Sequence, residues 1–141
     1  MAKMEREIRL DAAAARLKAA GLRPTRQRIE LARLLFAGMD RHVTAESLAE
    51  ESARAGVKVS LATVYNTLHQ FQSAGLLRQV VVDASRSYFD TNTGDHQHFF
   101  IENEGTLIDI PGEEISVSGV PSAPPGLAVD RVDVVVRVKR I

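Results

Sequence analysis

Three features of this sequence predict an α+β fold in two parts. Four helix-forming stretches, each followed by a glycine, occupy the first 75 residues. Two β-rich runs separated by a polar turn come next. The remainder holds short apolar runs and four of the five prolines, which leaves no room for a long helix. The boundary is expected near residue 91, giving parts 1–91 and 92–141.

Residues 5–20 are rich in Ala, Leu, Arg and Glu and stop at Gly21. Arg23-Pro24-Thr25 breaks the pattern, and Thr25 is placed to cap a second helix that runs to about Ala37, with Ile29, Ala32, Leu35 and Phe36 on one face. Thr44 caps a third, with Glu46 in its first turn and Leu48, Ala49 and Ala53 facing inward. Ser60 caps the fourth, where Leu61, Val64, Leu68 and Phe71 form one apolar stripe. The runs Leu77–Val82 and Ser87–Asp90, joined by Asp83-Ala84-Ser85-Arg86, read as a hairpin. Further on, His98–Ile101, Thr106–Ile110 and Val132–Val138 read as strands. Three strands without a long helix make a thin layer that needs a partner, and a second copy of the chain is the simplest. Phe99, Ile101, Leu107 and Ile108, together with the last strand, are the apolar residues expected at that interface.

Composition narrows the chemistry. There is no cysteine, which removes disulfides, thiolate nucleophiles, Cys-ligated zinc and iron–sulfur clusters. No apolar run approaches the roughly 20 residues that span a bilayer, so no membrane partner is expected. Met1–Arg6 carries no apolar signal core, and a cytoplasmic location is expected. The 141 residues sum to zero net charge, unevenly placed: 14 Lys/Arg against 10 Asp/Glu up to residue 90, and 4 against 8 beyond it. A basic first part favours phosphates.

Three helices followed by a β-hairpin make a winged helix. A helix about 10–12 Å across fits the DNA major groove, its apolar stripe holding it on the domain while its polar face meets base edges. On the fourth helix Thr63, Tyr65, Asn66, Thr67 and Gln70 lie off the stripe. Arg26, Arg28 and Arg78 are candidate phosphate contacts, and His69 a solvent or phosphate contact. The same arginines also read as solvated charges, Tyr65 as a locally bonded ring, and the whole unit as a protein-binding module.

Asp90, Asp95, His96, Gln97 and His98 make the most informative segment. Residues i and i+2 of a strand point the same way, so the imidazoles of His96 and His98 can converge on one ion. His42 precedes the third helix and Asp109 ends a strand. Imidazole with carboxylate suits Fe(II), Mn(II) or Zn(II). The bland reading, a polar start to a strand, stands beside it.

Five strings occurring in order, 21-GLRPTRQR-28, 42-HVTAE-46, 62-ATVYNTL-68, 88-YFD-90 and 96-HQH-98, resemble the ferric uptake regulator family over nearly the whole chain. The ending, with 110-IPG-112 and 131-RVDVVV-136, is similar to the family's iron response regulator branch, which responds to haem. The resemblance implies a homodimer with N-terminal winged-helix DNA-binding domains, a C-terminal α/β dimerisation and ligand-sensing domain, and a regulatory metal site formed by His42, Asp90, His96, His98 and Asp109. Asp90 and Asp109 stand where many relatives have Glu. Ile101 and Glu104 occupy the places of a cysteine pair, so a structural zinc is not expected, and a further metal site around Asp95 and Gln97 lacks its histidine. Asn66 replaces a frequent Arg. The Cys-Pro haem motif of some branch members is absent, which leaves His42, His96 and His98 as haem candidates.

The expectation is therefore a non-enzymatic, iron-responsive transcriptional regulator, mainly a repressor. It binds operator DNA as a dimer through Arg26, Arg28, Thr63, Tyr65, Asn66 and Arg78. It is controlled by Fe(II) or Mn(II), with Zn(II) as a substitute in vitro, or by haem. The rival classes are a small non-haem metal enzyme built on the His/Asp cluster and a winged-helix interaction module.

Overall fold

A computed structural model describes residues 2–141. It divides into two compact units, the first ending at Thr93 and the second spanning Gly94–Ile141.

The first unit begins with α1 (Ala2–Ala19) and α2 (Arg26–Phe36). They are separated by Gly21 at φ +79°, a left-handed turn that only glycine adopts without strain. Thr25 caps α2 as expected, its hydroxyl accepting the Arg28 N–H at 3.3 Å. α3 (Ala45–Arg54) opens with a reciprocal cap: Thr44 Oγ1 accepts the Ser47 N–H, and Ser47 Oγ accepts the Thr44 N–H. Ser60 caps α4 (Leu61–Ser73) through the Thr63 N–H.

The apolar stripe of α4 is shifted from its expected position. Val64, Leu68 and Phe71 are fully buried, and Thr67 joins them, its hydroxyl donating to the Thr63 carbonyl at 2.8 Å. Leu61, in the first turn, is exposed. On α3, Leu48 is buried and Ala53 is not; the inward place goes to Ser52, whose hydroxyl is satisfied by the Leu48 carbonyl at 2.7 Å. Leu48, Val64, Leu68 and Phe71, with Leu17, Leu31, Leu35, Val43, Leu77 and Phe89, form the core of the unit.

The hairpin is β2 (Arg78–Val81) and β3 (Ser87–Asp90). Its turn is organised by Asp83, which accepts the N–H groups of Ser85 and Arg86 and pairs with the Arg86 guanidinium at 2.6 Å. Those donors hold the Asp83 carboxyl well below its usual range. A two-residue strand not anticipated from the sequence, β1 (His42–Val43), adds to the hairpin and gives the order β1-β3-β2, all antiparallel.

The second unit is a three-stranded sheet, order β5-β4-β6, made of β4 (His96–Ile101), β5 (Thr106–Pro111) and β6 (Val135–Val138). β4 and β5 are antiparallel; β6 returns parallel to β4. Among the described residues of this unit the helical content is one 3-10 turn, Gly112–Glu114. β6 starts three residues later than the apolar run suggests. The Gln97 side chain provides the reason, since its Oε1 accepts the Val134 N–H at 2.7 Å where a ladder bond would otherwise form.

Candidate metal ligands and nucleic-acid face

In the first unit β1 pairs with β3 so that His42 lies directly opposite Asp90. The His42 Nε2 is 3.1 Å from Asp90 Oδ2, and Asp90 Oδ1 accepts the Asn92 N–H at 2.9 Å. The strand pairing is extended by Thr91 and Arg41: the Thr91 N–H donates to the Arg41 carbonyl at 3.0 Å, and the Arg41 N–H to Thr91 Oγ1 at 2.8 Å. The Arg41 guanidinium in turn holds Glu51 of α3 through two bonds of 2.9 and 2.6 Å and donates to the Leu34 carbonyl at the end of α2. His42 is thus anchored to two helices through its neighbour. Sequence reasoning missed Arg41, Glu51 and Thr91, none of which belongs to a recognisable string.

In the second unit the i, i+2 argument holds. His96 and His98 share one face of β4, with ring centroids 4.6 Å apart, and both are buried. Asp109 on β5 is the register partner of His98. Its Oδ1 lies 3.6 Å from His96 Nε2 and 3.4 Å from His98 Nε2. Nδ1 of His96 faces the Gly94 carbonyl at 2.8 Å and so acts as the donor, which in the neutral ring makes Nε2 the nitrogen available to an ion. Two ligand atoms each about 2.1 Å from a tetrahedral ion lie about 3.4 Å apart. The spacing and the nitrogen–oxygen donor set fit a borderline or hard divalent cation. Gly112 helps to set the approach to β4, because a Cβ there would meet the Asp95 carbonyl oxygen at 2.7 Å.

The candidate DNA residues divide. Arg26, Tyr65 and Asn66 are exposed, and Thr63 is half-buried on the same helix as Tyr65 and Asn66. Tyr65 keeps 49% of its surface open while its ring packs on His69, centroids 4.4 Å apart. His69 itself turns inward, its ring edge-on to Phe89 at 5.2 Å, and its Nε2 is buried with no hydrogen-bond partner among the described residues. The expected solvent or phosphate role of His69 is therefore withdrawn. Arg28 is half-buried and engaged: it donates to Gln70 Oε1 at 3.2 and 3.1 Å and to the Arg23 carbonyl at 3.0 Å. Arg78 corrects the phosphate expectation. It is 6% exposed, on the same sheet face as its cross-strand partner Asp90, so its guanidinium is withdrawn from the surface.

The family model described as "Ferric uptake regulator family" matches residues 19–121. The ferric uptake regulation protein of Pseudomonas aeruginosa is 34% identical over 100 residues, 70% of this chain and 75% of that protein. The peroxide-responsive repressor PerR of Staphylococcus aureus is 33% identical over 103 residues, 73% of this chain and 69% of that protein. Among solved structures, the ferric uptake regulator from Pseudomonas aeruginosa with manganese superposes with a TM-score of 0.67 at 27% identity, covering 91% of this chain and 97% of that one. The match to the family model over most of the chain, with relatives of this identity and coverage, establishes that the chain belongs to the ferric uptake regulator family.

Proposed function

We propose that this member of a family of metal-responsive transcriptional regulators is an iron-responsive regulator, repressing at most of its targets, that binds operator DNA as a homodimer. In this reading His42 and Asp90 of the first unit and His96, His98 and Asp109 of the second close on one divalent ion, Fe(II) or Mn(II). The observation that carries it is the ion-like spacing of the imidazole nitrogens and carboxylate oxygens in each group. Chain connectivity supports joining them. Five residues separate Asp90 from His96, so their Cα atoms lie within about 20 Å of each other in any conformation. A bound divalent ion supplies a cross-link between the hairpin and the second sheet. The protein's own residues supply the rest. Thr63, Tyr65 and Asn66 face the groove, Arg26 meets a phosphate, and Arg28 steadies the helix from which they project. Two winged helices joined through the second units read half-sites whose spacing must match theirs, so a shift at the cross-link selects or rejects the operator.

Haem on His42, His96 and His98 rests on the resemblance to the iron response regulator branch. The burial of His96 and His98 favours a bare ion over the much larger haem.

The test is a gel shift with duplexes selected from a random library by the Mn(II)-loaded protein, repeated with His96→Ala/His98→Ala. Wild type should bind only with Mn(II), and more weakly as salt rises. The double variant should fold and lose the Mn(II) response. A variant that keeps wild-type Mn(II) affinity and wild-type control of DNA binding overturns the reading. Binding that ignores salt points instead to a protein-interaction module.

A further inference from the structure

One row of polar residues crosses the sheet of the first unit. His42 on β1 is opposite Asp90 on β3, and Asp90 is opposite Arg78 on β2. Residues directly opposed in an antiparallel pair share a face, with Cβ atoms about 4.5–5.5 Å apart. Asp90 is 1% exposed and Arg78 6%. A guanidinium stays charged and can only donate, so a buried one needs an anionic or carbonyl partner close by. The side chain placed opposite it is the Asp90 carboxylate, whose far side already faces the His42 imidazole.

We propose that Arg78 is a positioning residue for Asp90: it balances the carboxylate when no ion is bound and competes with a divalent ion for it, thereby setting how much ion the protein needs. The inference rests on the reading of His42 and Asp90 as ligands. Two effects act in one direction. Without the guanidinium, the buried Asp90 carboxylate of the ion-free protein loses its permanent countercharge and keeps only the Asn92 N–H and the His42 ring, a deficit that an arriving cation relieves. With the guanidinium, the loaded protein holds two like charges beside one carboxylate in a poorly screened place. Neutralising Arg78 therefore destabilises the empty form and tightens ion binding. A purely structural role predicts the reverse, because a loosened β2–β3 pair would misplace Asp90 and weaken binding. Arg78 also begins the first strand of the hairpin, so its response to the ion reaches the wing directly.

The experiment uses the full chain with Arg78→Met, Arg78→Lys and Asp90→Asn. Mn(II) affinity is read by electron paramagnetic resonance of the free ion, and stability of the ion-free protein by urea unfolding. Arg78→Met should bind Mn(II) more tightly, by about tenfold or more, because a like charge beside the ion is removed, and should lose stability when ion-free. Arg78→Lys, which keeps the charge, should stay closer to wild type on both counts. In the Asp90→Asn background the stability loss from Arg78→Met should shrink, since the two residues act as a pair. Unchanged or weaker Mn(II) binding by Arg78→Met overturns the inference while leaving the site intact. If Asp90→Asn binds Mn(II) as wild type does, the ligand reading falls and the inference with it. Should Arg78→Met fail to fold, Arg78→Met/Asp90→Asn should recover folding, because the stranded charge is gone; a double variant that stays unfolded overturns the proposal.

Discussion

Arg28 on α2 grips Gln70 on α4: its Nε and Nη2 both donate to the one Gln70 side-chain oxygen, while its Nη1 reaches the Arg23 carbonyl in the loop before α2. Because a guanidinium only donates, the amide orientation is fixed, and the Gln70 NH2 is left as a pure donor on the helix that carries Tyr65 and Asn66. A donor held in one orientation suits an acceptor, either a phosphate oxygen or a purine edge.

Arg28→Lys keeps the charge and loses the fork, so it isolates this geometry from electrostatics. We expect operator affinity to fall about tenfold, roughly 1.4 kcal/mol, with the salt dependence unchanged. Arg26→Ala should behave in the opposite way, flattening the salt dependence through the loss of one counterion-releasing contact. Fluorescence anisotropy across a salt series measures both. Wild-type affinity for Arg28→Lys would show that the bridge does not bear on recognition.

The helices, their caps and the convergence of His96 with His98 were legible in the sequence because local rules govern them. Thr25, Thr44 and Ser60 cap where their side chains and the following periodicity place them, and the strand period aligns the two histidines. What was not legible depended on long-range pairing. β1 is two residues long, too short to show a period, and exists because β3 offers it an edge. Arg78 read as a wing cation because its burial is set by the partner strand, 12 residues further along the chain at Asp90. His69 read as polar surface because nothing in its helix reveals that Phe89 lies beneath it. Ile101 and Leu107, expected at an interface with a second copy, are already buried within one chain.

The Arg41–Glu51 pair carries a pH dependence. Hydrogen bonding from Arg41, aided by its charge, holds the Glu51 carboxyl below its ordinary value of 4.5. A depressed folded value contributes stability that is complete above the unfolded value and is lost as pH falls through the folded one. Glu51→Gln should therefore lower the melting temperature at pH 7, and the gap to wild type should close below about pH 4. Both side chains are partly exposed, 35% for Arg41 and 25% for Glu51, so solvent screens the pair and the loss at pH 7 should not exceed about 1 kcal/mol. Thermal melts at pH 7, 5 and 3 give the comparison, and a gap that widens toward acid would contradict the assignment.

The interface with a second copy should centre on Phe99 and Ile108. They are cross-strand partners on β4 and β5, and Val136 of β6 flanks Phe99 on its other side, so three apolar side chains form one row across the sheet. Phe99 is 37% exposed and Ile108 47%, although the neighbours of Phe99 along β4 are buried. A sheet that leaves such a row open in one chain gains by covering it with an identical row, and a two-fold interface repeats every contact. Phe99→Glu places two carboxylates at that repeat and should weaken association by at least about thirtyfold, as expected for an interface residue costing about 2 kcal/mol or more. Ile101→Val, inside the unit, should alter stability and leave association unchanged. Sedimentation at micromolar concentration should show wild type as a dimer and Phe99→Glu as a monomer with its secondary structure intact. A Phe99→Glu protein that remains dimeric would move the interface to another surface of the second unit.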